Sequence, residues 1–238
     1  MALPVINESP KYPLTIPSTQ KKVFFRPFLV KEQKTLLMAL ESQDQKTIVR
    51  AISDIIDSCV IDPINSKALA TFDVEYMFTQ IRCKSVGESS QVNVKCSECS
   101  KDNEVSIDLS KIKVDIKKAP PTIKLTSQFN LKMKYPRYDE LLELLPEDPE
   151  AKPTLSDILF RLAIVCLDQL LTDDEVINFS EESLEEKTKF LDNLNSEQFK
   201  EIMSFVQSLP KLSEDIVFDC SSCGHHNEYK LEGLDDFF

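Results

Sequence analysis

The sequence VNVKCSECSKDNEVSIDL, residues 92–109, is matched in pattern by IVFDCSSCGHHNEYKLEG, residues 216–233. In each copy an alternating segment leads into a C-x-x-C motif, Asn-Glu follows at the same offset, and the alternation then resumes. Alternation of apolar and polar side chains is typical of a β-strand with one buried face. Each copy is therefore predicted to be a strand–turn–strand hairpin that carries its two cysteines in the turn.

The two motifs contain four of the seven cysteines of the chain, Cys96, Cys99, Cys220 and Cys223. Two thiolates separated by two residues can face one ion from a tight turn, and two such turns complete the tetrahedral shell of a structural Zn²⁺. We therefore predict one structural zinc ion per chain. By joining Cys96 to Cys220 it would close a loop of about 120 residues.

Several alternatives stay open for these cysteines. One C-x-x-C could be a redox dithiol, His225 or His226 could replace a thiolate, and the site could have lost its metal. The remaining cysteines lie in apolar stretches with helical spacing and are interpreted as core residues: Cys59, Cys83 and Cys166.

The composition argues against several classes of enzyme. The chain has 238 residues but only three glycines, and it lacks a dinucleotide-binding loop, a P-loop and a nucleophile elbow. Its two histidines are adjacent, which is a poor basis for a catalytic triad. With 40 acidic and 28 basic residues the net charge is −12, which disfavours general nucleic-acid binding. We expect a protein without enzymatic activity.

The patterns along the chain predict an α+β fold in one composite domain, residues 1–238. A small antiparallel sheet is expected to carry both hairpins in a zinc-ribbon-like arrangement, packed with N-terminal and C-terminal helical segments. Asp73 is a candidate N-cap for a helix from 74 to about 84, and the apolar run 155–170 predicts a central helix. The predicted segments are 1–30 (extended arm and strand), 31–90 (helical), 91–135 (strands with the first C-x-x-C), 136–210 (helical) and 211–238 (second C-x-x-C and tail).

Three segments are candidate contact surfaces. The arm 24–28 could join a sheet edge or pack on a partner, and the terminal Phe237-Phe238 could dock in a partner's groove or pack on its own domain. A basic stretch could protect exposed strand edges or dock on an acidic partner. Its members are Lys111, Lys113, Lys117, Lys118, Lys124, Lys132, Lys134 and Arg137.

Four charged residues are embedded in otherwise apolar phrases: Arg26, Asp73, Glu75 and Arg82. Charges in such surroundings are tolerated when they are paired. We hypothesise that they form buried pairs that fix the local geometry.

Several phrases together resemble the baseplate hub family of T4-like tailed bacteriophages. In chain order they are VFFRPFLVKEQK, FDVEYMFTQIRCKSVGE, CSEC, MKYP and CSSCGHHNEYKLEGLDDFF. The resemblance extends over nearly the whole chain and is most specific around residues 72–87 and in the two hairpins. It implies a structural or assembly protein of the contractile-tail baseplate hub. Its partners would be other hub and tail proteins, in the host cytoplasm during assembly and then in the virion tail.

The alternative function is a zinc-ribbon nucleic-acid-binding or transcription-associated protein, for which the basic stretch is the only support. No run approaches the roughly 20 apolar residues of a membrane span. The first residues, MALPVINESPKYP, lack the features of a signal peptide, so we expect a cytoplasmic protein.

Overall fold

A computed structural model describes residues 9–116, 120–145 and 153–237, except for the side chains of Glu143, Asp235 and Asp236. The helices are α1 Val30–Glu41, α2 Gln45–Cys59, α3 Thr71–Ser85, α4 Leu141–Leu144, α5 Leu155–Val165, α6 Leu184–Asp192 and α7 Ser196–Gln207. The strands are β1 Tyr12–Thr15, β2 Lys22–Phe25, β3 Ser89–Lys95, β4 Asp102–Asp108, β5 Lys113–Val114, β6 Thr122–Lys124, β7 Asn130–Met133, β8 Leu167–Leu171, β9 Val176–Asn178, β10 Leu212–Asp219 and β11 His226–Glu232.

The described residues form two compact units. Residues up to Asp115 and from Lys211 onward make the first unit, and the segment Ile116–Pro210 makes the second. Strands β5 and β10 pair antiparallel with Val114 opposite Leu212, so the chain leaves the first unit and returns to it on neighbouring strands. Both C-x-x-C motifs belong to the first unit, whereas a single composite domain for the whole chain stays a prediction.

Both predicted hairpins are present in the first unit. In one, β3 and β4 pair antiparallel with Val92 opposite Val105, and in the other β10 and β11 pair with Ile216 opposite Tyr229. One small sheet was expected to carry both, but β3–β4 is a sheet of its own, whereas β10–β11 is extended by β5. The fold is therefore a mixture of α-helices and small antiparallel sheets.

The core of the first unit lies between the two hairpins and α3. Phe237, in a short 3₁₀ turn, is completely buried in this core, and its carbonyl oxygen accepts a hydrogen bond from Ser90 Oγ at 3.1 Å. Phe237 therefore packs on its own unit, while Phe238 lies outside the described residues. The buried members are Cys83, Val92, Val94, Ile107, Leu109, Ile112, Leu212, Ile216, Leu231 and Phe237.

The N-terminal part of the first unit consists of the β1–β2 hairpin and three helices. Residues 31–90 were predicted to be helical, and within them α2 buries Ile52, Ile55, Ile56 and Cys59 at helical spacing. The prediction for Asp73 was wrong, because α3 begins earlier, at Thr71, and Asp73 lies inside its first turn.

The arm segment pairs with β1 and makes a bridge from Phe25 to Val60, so one predicted alternative, pairing with a strand edge, is present. In β2, Val23 and Phe25 are buried, and Phe24 is 49% exposed.

The second unit packs three helices against a four-stranded sheet of order β6-β7-β8-β9. The predicted helical character of 136–210 was wrong for β8 and β9, because the apolar run divides at Cys166. Residues 167–171 pair with β7 instead of continuing the helix. Apolar residues lie on both sides of this boundary, in the buried helix and in the strand, so the sequence pattern alone could not place it.

Candidate metal centre

The turns of the two hairpins bring the four predicted cysteines together. The sulfur atoms of Cys96, Cys99, Cys220 and Cys223 all lie within 4.8 Å of one another. Two contacts join different hairpins, with Sγ–Sγ distances of 3.7 Å between Cys96 and Cys223 and 3.6 Å between Cys99 and Cys220. Cys96 and Cys220 are buried, whereas Cys99 and Cys223 are exposed. The cluster therefore has one buried and one exposed sulfur from each hairpin.

The backbone of the two turns is built in the same way. In the first turn the amide of Cys96 donates to Lys101 O and the amide of Ser100 donates to Cys96 O, both at 2.9 Å. Cys220, His225 and Gly224 repeat this pattern in the second turn at the same distances. Ser100 and Gly224, four residues after the first cysteine of each motif, both have positive φ, 57° and 72°. The repeat seen in the sequence is thus a repeat of backbone conformation.

In each turn, backbone amides point at the sulfur of the first cysteine of the C-x-x-C motif. The amides of Cys223 and Ser222 lower the pKa of the Cys220 thiol to about 6, and those of Cys99 and Glu98 lower the pKa of Cys96. At Cys223 the amide of His225 lowers the pKa, but the neighbouring sulfurs, Cys99 foremost, and partial desolvation outweigh it and raise the pKa to about 12. Four sulfurs this close cannot all ionise without a cation to balance their charge.

The arrangement fits a tetrahedral metal shell. With metal–sulfur bonds of about 2.3 Å, the edges of a regular tetrahedron of sulfurs are about 3.8 Å long. The sulfur pairs Cys96–Cys223 and Cys99–Cys220, at 3.7 and 3.6 Å, match this edge. A disulfide would need about 2.05 Å. The four cysteines could therefore hold a metal ion, and a redox dithiol confined to one motif does not account for the approach of the other.

Asparagine side chains fasten each hairpin to the turn of the other. Asn227 Oδ1 accepts hydrogen bonds from the amide and the hydroxyl of Ser97, both at 2.9 Å. Asn103 Oδ1 accepts the same two bonds from Ser221, at 2.9 and 3.0 Å. The sequence showed Asn-Glu at the same offset in both copies, but these contacts were not predicted, because they join one copy to the other.

The two histidines lie beside the site and are not members of the four-sulfur cluster. His226 Nδ1 is 2.7 Å from Asp219 Oδ1, and both side chains are exposed. His225 takes part through its carbonyl oxygen, which accepts a hydrogen bond from the amide of Cys220. Within the described ranges, replacement of a thiolate by a histidine therefore has no structural support.

The other three cysteines are core residues, as predicted. Cys59, Cys83 and Cys166 are buried outside the cluster. Burial raises the pKa of their thiols to about 11, 11 and 12. They are therefore protonated at neutral pH and poor nucleophiles.

The embedded charges have partners that the sequence did not identify. Arg26 Nη2 lies 2.8 Å from Oε1 of Glu32, which is only 4% exposed. The same Glu32 accepts from the amide of Leu29 at 2.8 Å and so caps α1. Asp73 is completely buried and accepts hydrogen bonds from the amide of Ser18, at 2.8 Å, and from its hydroxyl.

The basic stretch is divided between the two units, and much of its charge is balanced locally. Lys117 and Lys118 lie outside the described residues. Because acidic neighbours pair with four of these basic side chains, the stretch does not favour an electrostatic surface for nucleic acid. The ion pairs are Lys111–Asp108, Lys132–Asp168, Lys134–Glu140 and Arg137–Asp139.

The fold and the site define a small protein of α-helices and antiparallel sheets in which two hairpins far apart in the sequence meet at a cysteine cluster. The chain belongs to the family described as T4 bacteriophage base plate protein, whose family model matches residues 9–238. Comparison with curated proteins and with solved structures gave no match. Membership makes the chain a structural protein of the T4-type baseplate. It favours a non-enzymatic role, a place in the virion tail and contacts with other tail proteins.

In the parts of the chain that the structure describes, none of the helices is both long enough and apolar enough to cross a membrane.

Proposed function

We propose that this protein is a non-enzymatic component or assembly factor of the baseplate hub, and that Cys96, Cys99, Cys220 and Cys223 bind one structural Zn²⁺. The family match over residues 9–238 supports the baseplate role. The four sulfurs within 4.8 Å of one another support the metal. The hub itself is proposed from the resemblance of the quoted phrases, which extend from the N-terminal arm to the second hairpin.

The zinc ion would have a mechanical role. Four thiolates fill its tetrahedral shell, so no position is left for a substrate or a reactive water. The ion would fasten the hairpin before the second unit to the hairpin after it. Because metal binding of this kind adds directly to folding free energy, the first unit would be stable despite its small separate sheets. A rigid scaffold suits a protein that assembles in the host cytoplasm and then stays in the tail baseplate.

Metal content and thiol reactivity together test the zinc site. We expect one zinc per chain by elemental mass spectrometry of the purified protein. The test compares the number of fast-reacting thiols before and after a chelator is added. The three core cysteines are buried with or without metal, so they do not contribute to the increase. About four thiols should become reactive on chelation. If exposed Cys99 and Cys223 react at once without chelator, and no metal is found, the zinc proposal is wrong.

Co-purification tests the hub role. The tagged protein should retain hub proteins from cells that express the baseplate genes, and not proteins of the outer baseplate. Retention of outer baseplate proteins alone would contradict the hub assignment and leave family membership intact. A salt titration against DNA or RNA separates the nucleic-acid alternative, which predicts tight binding with a steep salt dependence.

A further inference from the structure

The amide groups of Asn103 and Asn227 reach the cysteine cluster as well as the opposite turn. Nδ2 of Asn103 lies 3.7 Å from Sγ of Cys220, and Nδ2 of Asn227 lies 3.7 Å from Sγ of Cys96. Each contact crosses from one hairpin to the other, and each ends on the buried sulfur of the motif that it reaches. Both asparagines are themselves buried, at 7% and 2% exposure.

Each amide is held in this orientation from two further sides. Nδ2 of Asn103 donates to Lys101 O of its own turn, and Nδ2 of Asn227 donates to His225 O, both at 2.8 Å. The oxygen of each amide is fixed by the serine of the opposite turn. One N–H of each amide is therefore left to face the sulfur, and this assignment of oxygen and nitrogen satisfies every contact around the group.

We propose that Asn103 and Asn227 are positioning residues of the metal centre, each donating a hydrogen bond to the buried thiolate of the opposite hairpin. This inference rests on the proposed zinc site and adds two residues outside the C-x-x-C motifs to it. A hydrogen bond to a charged acceptor is stronger than a neutral one, and partners of metal ligands commonly affect metal affinity tenfold to a hundredfold. Neither hairpin can supply this donor to its own first cysteine, so the site is complete only when the two copies face each other.

The substitutions N103D and N227D test the donor. Aspartate keeps the shape of the side chain and an oxygen that accepts from the serine, but it has no N–H and places a negative charge beside the thiolate. We expect zinc affinity, measured by competition with a chelator, to fall about tenfold to a hundredfold in each variant. Because the two contacts are equivalent, the losses should be similar in the two variants.

Two control variants separate this donor from other effects. Q91E adds the same charge to an exposed position of the first hairpin, away from the sulfurs. S221A removes one hydrogen bond to Asn103 Oδ1 and leaves the donor to Cys220 in place. Q91E should bind zinc as the unsubstituted protein does. S221A keeps the bond from the Ser221 amide to Asn103 Oδ1, so it should lose less zinc affinity than N103D. Circular dichroism of each variant shows whether it is folded.

Two spectroscopic measurements detect a hydrogen bond to sulfur and would not change if the asparagines had a purely structural role. In the Co²⁺-substituted protein, loss of a donor should shift the sulfur-to-metal charge-transfer band of N103D and N227D to longer wavelength, with no shift in Q91E. The unsubstituted protein loaded with ¹¹³Cd needs no variant. Scalar coupling between the metal and the side-chain amide protons of Asn103 and Asn227 would show the N–H···S bonds directly.

The outcomes distinguish the two proposals. If the unsubstituted protein binds no metal, the zinc site and this inference both fall. If it binds one zinc, the inference is wrong when N103D and N227D keep the zinc affinity of the unsubstituted protein and show no shift of the Co²⁺ charge-transfer band. Should both variants fail to fold, absence of coupling from ¹¹³Cd to either side-chain amide overturns it instead.

Discussion

The sulfur atoms of Cys99 and Cys220 lie 3.6 Å apart, although 121 positions separate the two residues. The intervening chain includes the whole of the second unit. A bond to a common ion at this point would close a very long loop, and the entropy of that closure is largest for long loops. The stability of the first unit should therefore depend on the metal.

Removal of one buried ligand should abolish this dependence. In the unsubstituted protein a chelator should lower Tm, because it removes the metal ion, which binds only the folded state. C96S should lack bound zinc, melt at a lower temperature and show no further change with chelator. C59S is the matched control, since Cys59 is equally buried but outside the cluster. A chelator effect of the same size in C96S and C59S would show that these sulfurs do not bind the metal.

Much of this site could be predicted because the residues that specify each hairpin are close together in the sequence. The spacing of each C-x-x-C and the alternation around it specify a hairpin, and the repeat of the pattern indicated that two hairpins act together. The contacts of Asn103 and Asn227 could not be predicted, since they depend on how the two hairpins face each other. The end of α5 was missed for a different reason, because apolar residues continue beyond it at Leu167, Leu170 and Leu171.

The ion pair between Arg26 and Glu32 should contribute to stability. At pH 7 the substitution E32Q is expected to lower the free energy of unfolding by about 2 kcal/mol. This is less than for a fully buried pair, because Arg26 is 19% exposed and glutamine keeps an acceptor. Urea denaturation measures the effect, with E41Q, at the exposed end of α1, as a control that should change little.

The contribution of Glu32 should depend on pH in a defined direction. Burial raises the pKa of Glu32, but hydrogen bonds from Arg26 and from the Leu29 amide outweigh this, so its pKa lies below the usual value. A lowered pKa gives stability that is present above the unfolded value, about 4.3, and is lost as the pH falls through the folded value. The difference between E32Q and the unsubstituted protein should therefore shrink in acid, and a constant difference down to strongly acidic pH would contradict the pairing.

The hydrogen bonds from Ser18 to Asp73 hold a buried carboxyl group in place. S18A should destabilise the protein by about 1–3 kcal/mol at pH 7, because it leaves one oxygen of a buried acceptor without its hydroxyl donor. T19A, at the exposed neighbouring position, is the control. Thermal denaturation of the two variants gives the comparison, and equal Tm values would contradict the role of this contact.

The pH dependence at Asp73 has the opposite sign to that at Glu32. Burial raises the pKa of Asp73 and the two Ser18 hydrogen bonds partly offset the rise. A raised carboxyl pKa means that stability falls as the pH rises from the unfolded value, about 3.9, through the folded value. Because S18A removes one of the offsetting donors, its penalty should be greatest near neutral pH and smaller below about pH 4.

Phe237 should be a stability residue of the first unit. Its side chain is completely buried in the core, so F237A is expected to cost about 3–5 kcal/mol, in the range for buried phenylalanine. F24A removes the same atoms from a half-exposed position and should cost much less. Urea denaturation of both variants distinguishes them. Unchanged stability of F237A with loss of binding to hub proteins would show instead that Phe237 acts on a partner.

The equivalent positions Ser100 and Gly224 should respond in opposite directions to substitution. Both have positive φ, which is unfavourable for a residue with a Cβ atom by about 1–2 kcal/mol but not for glycine. S100G should therefore stabilise the first turn. The net gain should be only about 0.5–1 kcal/mol, because glycine also increases the entropy of the unfolded chain and so offsets part of the relieved strain. G224A should destabilise the second turn through backbone strain alone, since its added Cβ would meet no atom within 4 Å. Chelator competition and thermal denaturation of the pair measure both effects. A loss of stability in S100G would show that the two turns are not equivalent in solution.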